Sequence, residues 1–243
     1  MAELDGPRLE PRSGRAQQLV VFLHGYGADG NDLIEIGRAW QGQLPDAAFA
    51  SPHAPRPCGQ APVGREWFPL TFRNPDERWT GVNQAAPILE NFLDAELKRR
   101  NLPLSALALV GFSQGTMMAL HVGLRRAIAP AAIVGYSGML VTPEKGDPSA
   151  FAAEIRSRPP VLLIHGDADE LIPVQALFHA AQGLPRWMCR RNGTSPRESA
   201  TASIRRACAT AANSWEGALR AANSSVAGNS PSRLHNPVTL PYY

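Results

Sequence analysis

The sequence predicts an α/β fold, a mostly parallel sheet with helices on both faces, and three observations carry that prediction. From Leu19 to about Leu184, short aliphatic runs alternate with amphipathic stretches, the pattern of buried parallel strands joined by covering helices. Gly25 to Gly27, Ser113 and Asp167 to Asp169 each follow directly on one of those runs. In a parallel sheet that puts all three on one edge, where loops at the carboxyl ends of strands build binding sites. The length of 243 residues suits one domain with a substantial core.

Taken in order, Leu19 to Leu23 reads as a buried strand ending at His24-Gly25-Tyr26-Gly27. Asn31 or Asp32 caps a helix carrying Leu33, Ile34, Ile36 and Trp40. Ala48 to Ala50 forms a short strand running into Pro52-His53-Ala54-Pro55, and residues 56–80, rich in Pro, Gly and aromatics, read as a long surface loop. Ile88, Leu89, Phe92, Leu93 and Leu97 recur at helical spacing. A strand at 107–110 precedes a helix through Met117, Met118, Leu120 and Leu124. Strands follow at 132–134 and 161–164, and a helix is expected after Pro173.

Beyond Leu184 the periodicity stops. Large aliphatic residues become sparse and aperiodic, and Ala, Arg, Ser and Asn dominate. Such a stretch buries too little apolar surface to offset its ordering entropy. The expected organisation is therefore a polar N-terminal segment at 1–17, a core at 18–184 and a disordered tail at 185–243, with the last strand and helix of the sheet missing. The tail also holds the basicity: residues 186–243 carry eight arginines against Glu198 and Glu216, whereas the preceding residues are net acidic. That charge invites a nucleic-acid reading, but the tail has neither aromatic interleaving nor a recognisable module, which argues against nucleic-acid binding. No apolar stretch is long enough to span a membrane and no signal-peptide core opens the chain, so the expected compartment is the cytoplasm. Cys58, Cys189 and Cys208 are unclustered and odd in number, which favours free thiols, and no Cys/His spacing suggests a metal.

The chemistry is concentrated in Gly111-Phe112-Ser113-Gln114-Gly115. Strand before and helix after make this the nucleophile elbow of an α/β-hydrolase, in which glycines allow a strained turn that exposes the serine. A serine hydroxyl needs a base to take its proton, and its tetrahedral intermediate needs fixed donors for the oxyanion. The N–H of Gln114 is one candidate donor. The second is the N–H of Tyr26, in the loop after the first strand. His24 is assigned to bracing that loop, because it lies upstream of the acid, against the Ser–Asp–His order of this fold. The acid is supplied by His165 to Pro173, where Asp167 and Asp169 compete.

Through Leu23 to Leu33, the elbow and His165 to Pro173, the chain resembles the carboxylesterase/phospholipase family that includes acyl-protein thioesterases and lysophospholipases. The resemblance covers about residues 5–184. It implies Ser113 as nucleophile, Asp169 rather than Asp167 as acid, and Tyr26 and Gln114 at the oxyanion hole. It also implies Trp67, in Arg65-Glu66-Trp67-Phe68, near an acyl pocket. Neither a metal nor an organic cofactor is implied, and the substrate would be a small acyl ester or thioester. Serine at the elbow argues against dienelactone-hydrolase relatives, which carry cysteine there.

The same resemblance implies a Gly-His-Gly segment roughly thirty residues after the acid, and this chain has none. After Asp169 the histidines are His179, too near the acid, and His235, in the irregular tail. A lost base near Leu184-Pro185 would account for this. In the restored frame, Trp187 to Arg190 can read Leu-Asp-Val-Pro, and Ala200 to Ile204 can read Gly-His-Gly-Ile-Asp, with the histidine at Thr201. Ala212 to Trp215 can read Gly-Glu-Phe-Leu, the start of an amphipathic helix. Two functions are thus expected: a serine hydrolase acting through an acyl-enzyme, or a catalytically crippled, non-enzymatic remnant lacking its base. The sequence leaves the particular ester and the oligomeric state open.

Overall fold

The computed structural model describes residues 4–61, 63–71, 74, 76–143, 152–166, 169, 172 and 175, together with the backbone path of 187–192. Among them, seven strands make one sheet in the order β1-β3-β2-β6-β7-β8-β9. These are β1 (Arg8–Leu9), β2 (Gln18–Leu23), β3 (Ala47–Ala50), β6 (Leu107–Phe112), β7 (Ala132–Tyr136), β8 (Val161–Gly166) and β9 (Trp187–Asn192). Every pairing is parallel except that of β1 with β3. A separate antiparallel ribbon joins β4 (Arg56–Pro57) to β5 (Arg65–Glu66). The helices are α1 (Gly30–Trp40), α2 (Glu77–Arg99) and α3 (Gln114–Arg125).

Strand side chains alternate between faces, and the central strands supply apolar residues to both. Leu19, Val21, Leu23, Leu107 and Leu109 join one core with Leu89, Leu93 and Leu97 of α2 and Met118 and Val122 of α3. Val20, Phe22, Ala108, Val110, Val134 and Ile164 join a second core with Leu33, Ile34 and Trp40 of α1. This is why those strands read as continuous aliphatic runs. Complete burial of a Leu or Phe side chain contributes roughly 1.5–3 kcal/mol. Phe22 is fully buried, tilted on Trp40 at 5.7 Å between ring centroids and stacked on Phe49 at 6.1 Å.

Four details depart from the sequence expectations. The cap of α1 is Asp29, not Asn31 or Asp32. Asp29 accepts from the Asn31 N–H, and the Asp32 side chain reaches back to the Asp29 N–H as the other half of a capping box. The 56–80 stretch is not a surface loop: it contains the ribbon, the buried residues Trp67 and Phe68 and the first turn of α2. Its Pro and Gly content masked an element held in place by aromatics. α2 also begins well before Ile88 and carries Pro87 inside it.

The fourth departure is β9. Residues 187–192 lie in the stretch expected to be an unstructured tail without the last strand, yet their backbone pairs with β8 from Val161↔Trp187 to Gly166↔Asn192. A ladder is made by backbone N–H and C=O groups, and the open edge of a parallel sheet recruits a strand without requiring a regular apolar pattern. The helix expected after Pro173, and the remainder of the tail, lie outside the described residues.

Candidate active site

Ser113 connects β6 to α3. Its backbone is at φ 52° and ψ −113°, in the left-handed half of conformational space that an L-residue occupies only under constraint. The constraint is visible around it. Ser113 N–H donates to the Tyr136 carbonyl at 2.9 Å, and the amides of Thr116 and Met117 donate to the Ser113 carbonyl at 3.0 and 3.2 Å. The Thr116 hydroxyl also donates to the Tyr136 carbonyl, at 2.9 Å. Gly111 and Gly115 are glycine for want of space: a Cβ on Gly111 would press on the backbone of Gly115 and Thr116, and one on Gly115 would overlap Leu23.

The loop after β2 lies against this turn. A Cβ on Gly25 would stand 3.3 Å from the Ser113 Cβ and 3.0 Å from Phe112. Gly27, at φ 78°, turns the loop and donates its N–H to the Arg65 carbonyl at 3.0 Å, and Ala28 accepts from the Arg65 N–H at 2.8 Å. Among the described residues the Tyr26 N–H makes no hydrogen bond. The Tyr26 phenol is held well above its usual pKa, first by burial and then by the Cys58 thiol and the Glu66 carboxylate beside it. Cys58 is a buried free thiol.

His24 is fully buried, with both ring nitrogens engaged. Nδ1 lies 2.8 Å from the Gly25 carbonyl, and Nε2 accepts from the Ala54 N–H at 2.9 Å. An acceptor at Nε2 requires the Nδ1–H tautomer, and burial pushes the ring pKa down. The ring is thus a neutral brace between two loops. Trp67 is 1% exposed and donates its ring N–H to the His24 carbonyl at 3.0 Å.

Gln114 was expected to matter through its backbone, and the structure adds its side chain. That side chain is wholly buried: Oε1 accepts from the Trp67 N–H and Nε2 donates to the Phe68 carbonyl, each at 2.8 Å. Only the three-dimensional path of 65–68 reveals this pairing, though a glutamine between a serine and a glycine at a helix start is a visible cue.

At the end of β8, Asp169 Oδ1 accepts from the Ile172 N–H at 3.0 Å, and its other oxygen lies 3.4 Å from Nε2 of the buried His165. His165 Nε2 is also 2.6 Å from the Ile172 carbonyl. Asp167, the competing carboxylate, lies outside the described residues, as do His179 and His235. His53 caps α1, its Nδ1 accepting from the Gly30 N–H at 3.1 Å. His121 is buried on α3 with its Nδ1 unpaired, and lies eight residues along the chain from Ser113. The structure therefore brings together Ser113, Gln114, the Tyr26 loop and Trp67 around one turn. It places Asp169 two strands away on the same sheet edge, roughly 10 Å across at normal strand spacing.

This arrangement has counterparts in known proteins. A family model described as Phospholipase/Carboxylesterase matches residues 4–213. Esterase YpfH of Escherichia coli K12 is 30% identical over 166 residues, 68% of this chain. The match spans 66% of that esterase, just under two thirds of its length. The crystal structure of esterase PE8 superposes with a TM-score of 0.77 at 40% identity, covering 86% of this chain and 98% of that one. Zea mays acyl-protein thioesterase 2 shares the fold, with a TM-score of 0.63 at 21% identity over 87% of this chain and 99% of its own. The family match reaches past residue 184, where the sequence resemblance had ended, and includes β9. Sheet order, glycine-locked serine turn and matched length agree: the chain belongs to the phospholipase/carboxylesterase family.

Proposed function

We propose that the chain is built as a serine hydrolase that cleaves small carboxylic esters or thioesters through an acyl-enzyme. The observation that carries this is the constrained Ser113 turn with the Gly25–Gly27 loop pressed against it. Ser113 attacks the acyl carbonyl, and the N–H groups of Gln114 and Tyr26 receive the oxyanion. Asp169 orients a histidine that takes the serine proton and returns it to the leaving group, and water then releases the acid. Trp67 backs the acyl side of the site through its position behind the loop. The likeness to esterases YpfH and PE8 supports the reaction class.

The base is the missing part. His24 has both nitrogens occupied, His165 and His53 are engaged with their own loops, and His121 is buried on α3. The first three are held by bonds of their own, and His121, whose Nδ1 is unpaired among the described residues, lies eight residues from Ser113 along α3, about 12 Å at the helical rise. We assign the base to a histidine displaced from the recorded sequence by a frameshift near Leu184-Pro185, which the restored frame puts at position 201. A second reading follows from the same histidine census: with the tail as recorded, the chain is a crippled hydrolase.

Sequencing the gene across the codons for Gly183 to Arg186, paired with a short-chain ester assay, separates them. An extra base there and turnover by the full-frame protein support the enzyme. An unchanged sequence with no turnover supports the remnant. Unchanged sequence with rapid turnover would overturn the assignment of the base.

A further inference from the structure

We infer that the Gln114 side chain is a positioning residue that sets the distance between the two oxyanion donors. The inference rests on the assignment of those donors to the Tyr26 and Gln114 amides. One residue then supplies the first donor from its backbone and fixes the second through its side chain.

The connection runs through residues 65–68. On one side, this stretch holds the Tyr26 loop at three points flanking Tyr26. The Arg65 carbonyl takes the Gly27 N–H at 3.0 Å, the Arg65 N–H reaches the Ala28 carbonyl at 2.8 Å, and the Trp67 ring N–H reaches the His24 carbonyl at 3.0 Å. On the other side, Gln114 binds two of its backbone groups, accepting from the Trp67 N–H and donating to the Phe68 carbonyl at 2.8 Å each. The loop, the 65–68 stretch and the first residue of α3 thus form one hydrogen-bonded chain across the serine turn. All of Gln114 is buried, so both bonds are made away from solvent, where leaving a partner unsatisfied is costly.

The chemistry demands an amide. Binding the N–H of one residue and the C=O of the next needs one acceptor and one donor on the same planar head. Methionine fills the volume and provides neither strong bond. An ionised glutamate accepts from Trp67 but confronts the Phe68 carbonyl with a second acceptor. A protonated glutamate satisfies both partners, so glutamate is a conditional replacement whose function depends on pH.

The test combines steady-state kinetics on a short-chain nitrophenyl ester with amide hydrogen exchange, for the full chain and for Gln114→Met and Gln114→Glu. For Gln114→Met we expect kcat to fall about 10- to 100-fold with KM within about twofold, the signature of a misplaced donor. Exchange should accelerate in 24–28 and 65–68 and stay unchanged in β7. For Gln114→Glu, kcat relative to the unsubstituted chain should recover as pH falls, with its inflection above the ordinary carboxylate range, because burial favours the neutral acid. An unchanged kcat, a loss confined to KM, or faster exchange that stops short of 24–28 overturns the inference. Should Gln114→Met fail to fold, Gln114→Glu across pH carries the test alone. The exchange measurements need no turnover. A full-frame protein inactive on esters therefore counts against the esterase reading, and the exchange response of residues 24–28 still decides the clamp.

Discussion

Gly115 sits against the carbonyl of Leu23, so that α3 begins in backbone contact with the end of β2, and a single Cβ would close the gap entirely. Neither partner is a flexible side-chain tip, so an added methyl has nowhere to go. We expect Gly115→Ala to destabilise the fold by about 3 kcal/mol or more, at the upper end of overpacking costs. Gly59→Ala is the control, since nothing lies within 4 Å of a Cβ there and no positive φ is involved. Urea unfolding of the two variants should show a large drop in midpoint for the first and none for the second. Equal midpoints would refute the packing account.

Ser113 holds a conformation that costs an L-residue roughly 1–3 kcal/mol. Glycine removes that strain but adds about 0.5–1 kcal/mol of unfolded-state entropy. Ser113→Gly should therefore raise stability by about 1 kcal/mol, whereas Ser113→Ala keeps the strain and gains nothing comparable. Both should lose labelling by a serine-directed fluorophosphonate. A glycine variant no more stable than the alanine variant would show that the turn is relaxed.

Two carboxylates compete for the acid. In a form of the protein that turns over esters, Asp169→Asn should lower kcat about ten-thousand-fold, the scale for losing a triad orienter. Asp167→Asn should stay within about tenfold. The reverse ranking would move the acid to Asp167.

The buried histidines predict an acid-sensitive fold. Burial pushes His121 down to about 3, with the nearby Arg125 adding to the effect, and lowers His24 as well. A histidine that is neutral when folded takes up more protons in the unfolded chain once pH falls below its ordinary value near 6.5. Stability should thus be flat above about pH 7 and decline as pH drops below 6.5. Carboxylates such as Glu10, whose pKa is lowered chiefly by its hydrogen bond to Arg100, add their own loss only below about 4.5. Between those limits the slope belongs to histidine. His121→Phe keeps the edge contact with Trp79 in kind and should flatten the Tm profile in that window. An unaltered slope would remove His121 from the account.

Much of the fold was legible because its strands are buried on both faces. Leu19 to Leu23 and Leu107 to Val110 could be read as strands from composition alone, and the serine turn followed from its flanks. The ribbon around 56–66 was not legible, because two-residue strands carry no periodicity and its order comes from Trp67 and Phe68 packing elsewhere. β9 escaped for a different reason: its pairing is backbone to backbone, and the side chains of that stretch give no regular pattern. At the candidate site, residue types pointed to Ser113, Tyr26 and Gln114 and left Asp167 and Asp169 open, the family resemblance favouring Asp169. That a glutamine side chain links two loops depends on a contact 47 residues apart in sequence, which no local pattern contains.

The order of strands has a kinetic side. β2 and β6 are neighbours in register from Leu19↔Leu107 to Leu23↔Gly111, although most of a hundred residues separate them along the chain. Pairings of that span close late, since the loop entropy must be met before the contact rewards it. The Tyr26 loop and the Ser113 turn therefore first meet when the central pair closes, and no earlier species along the folding route can hold both. Recovery of serine reactivity after dilution from denaturant should accordingly track the slowest folding phase, making the site itself a clock for completion of the sheet.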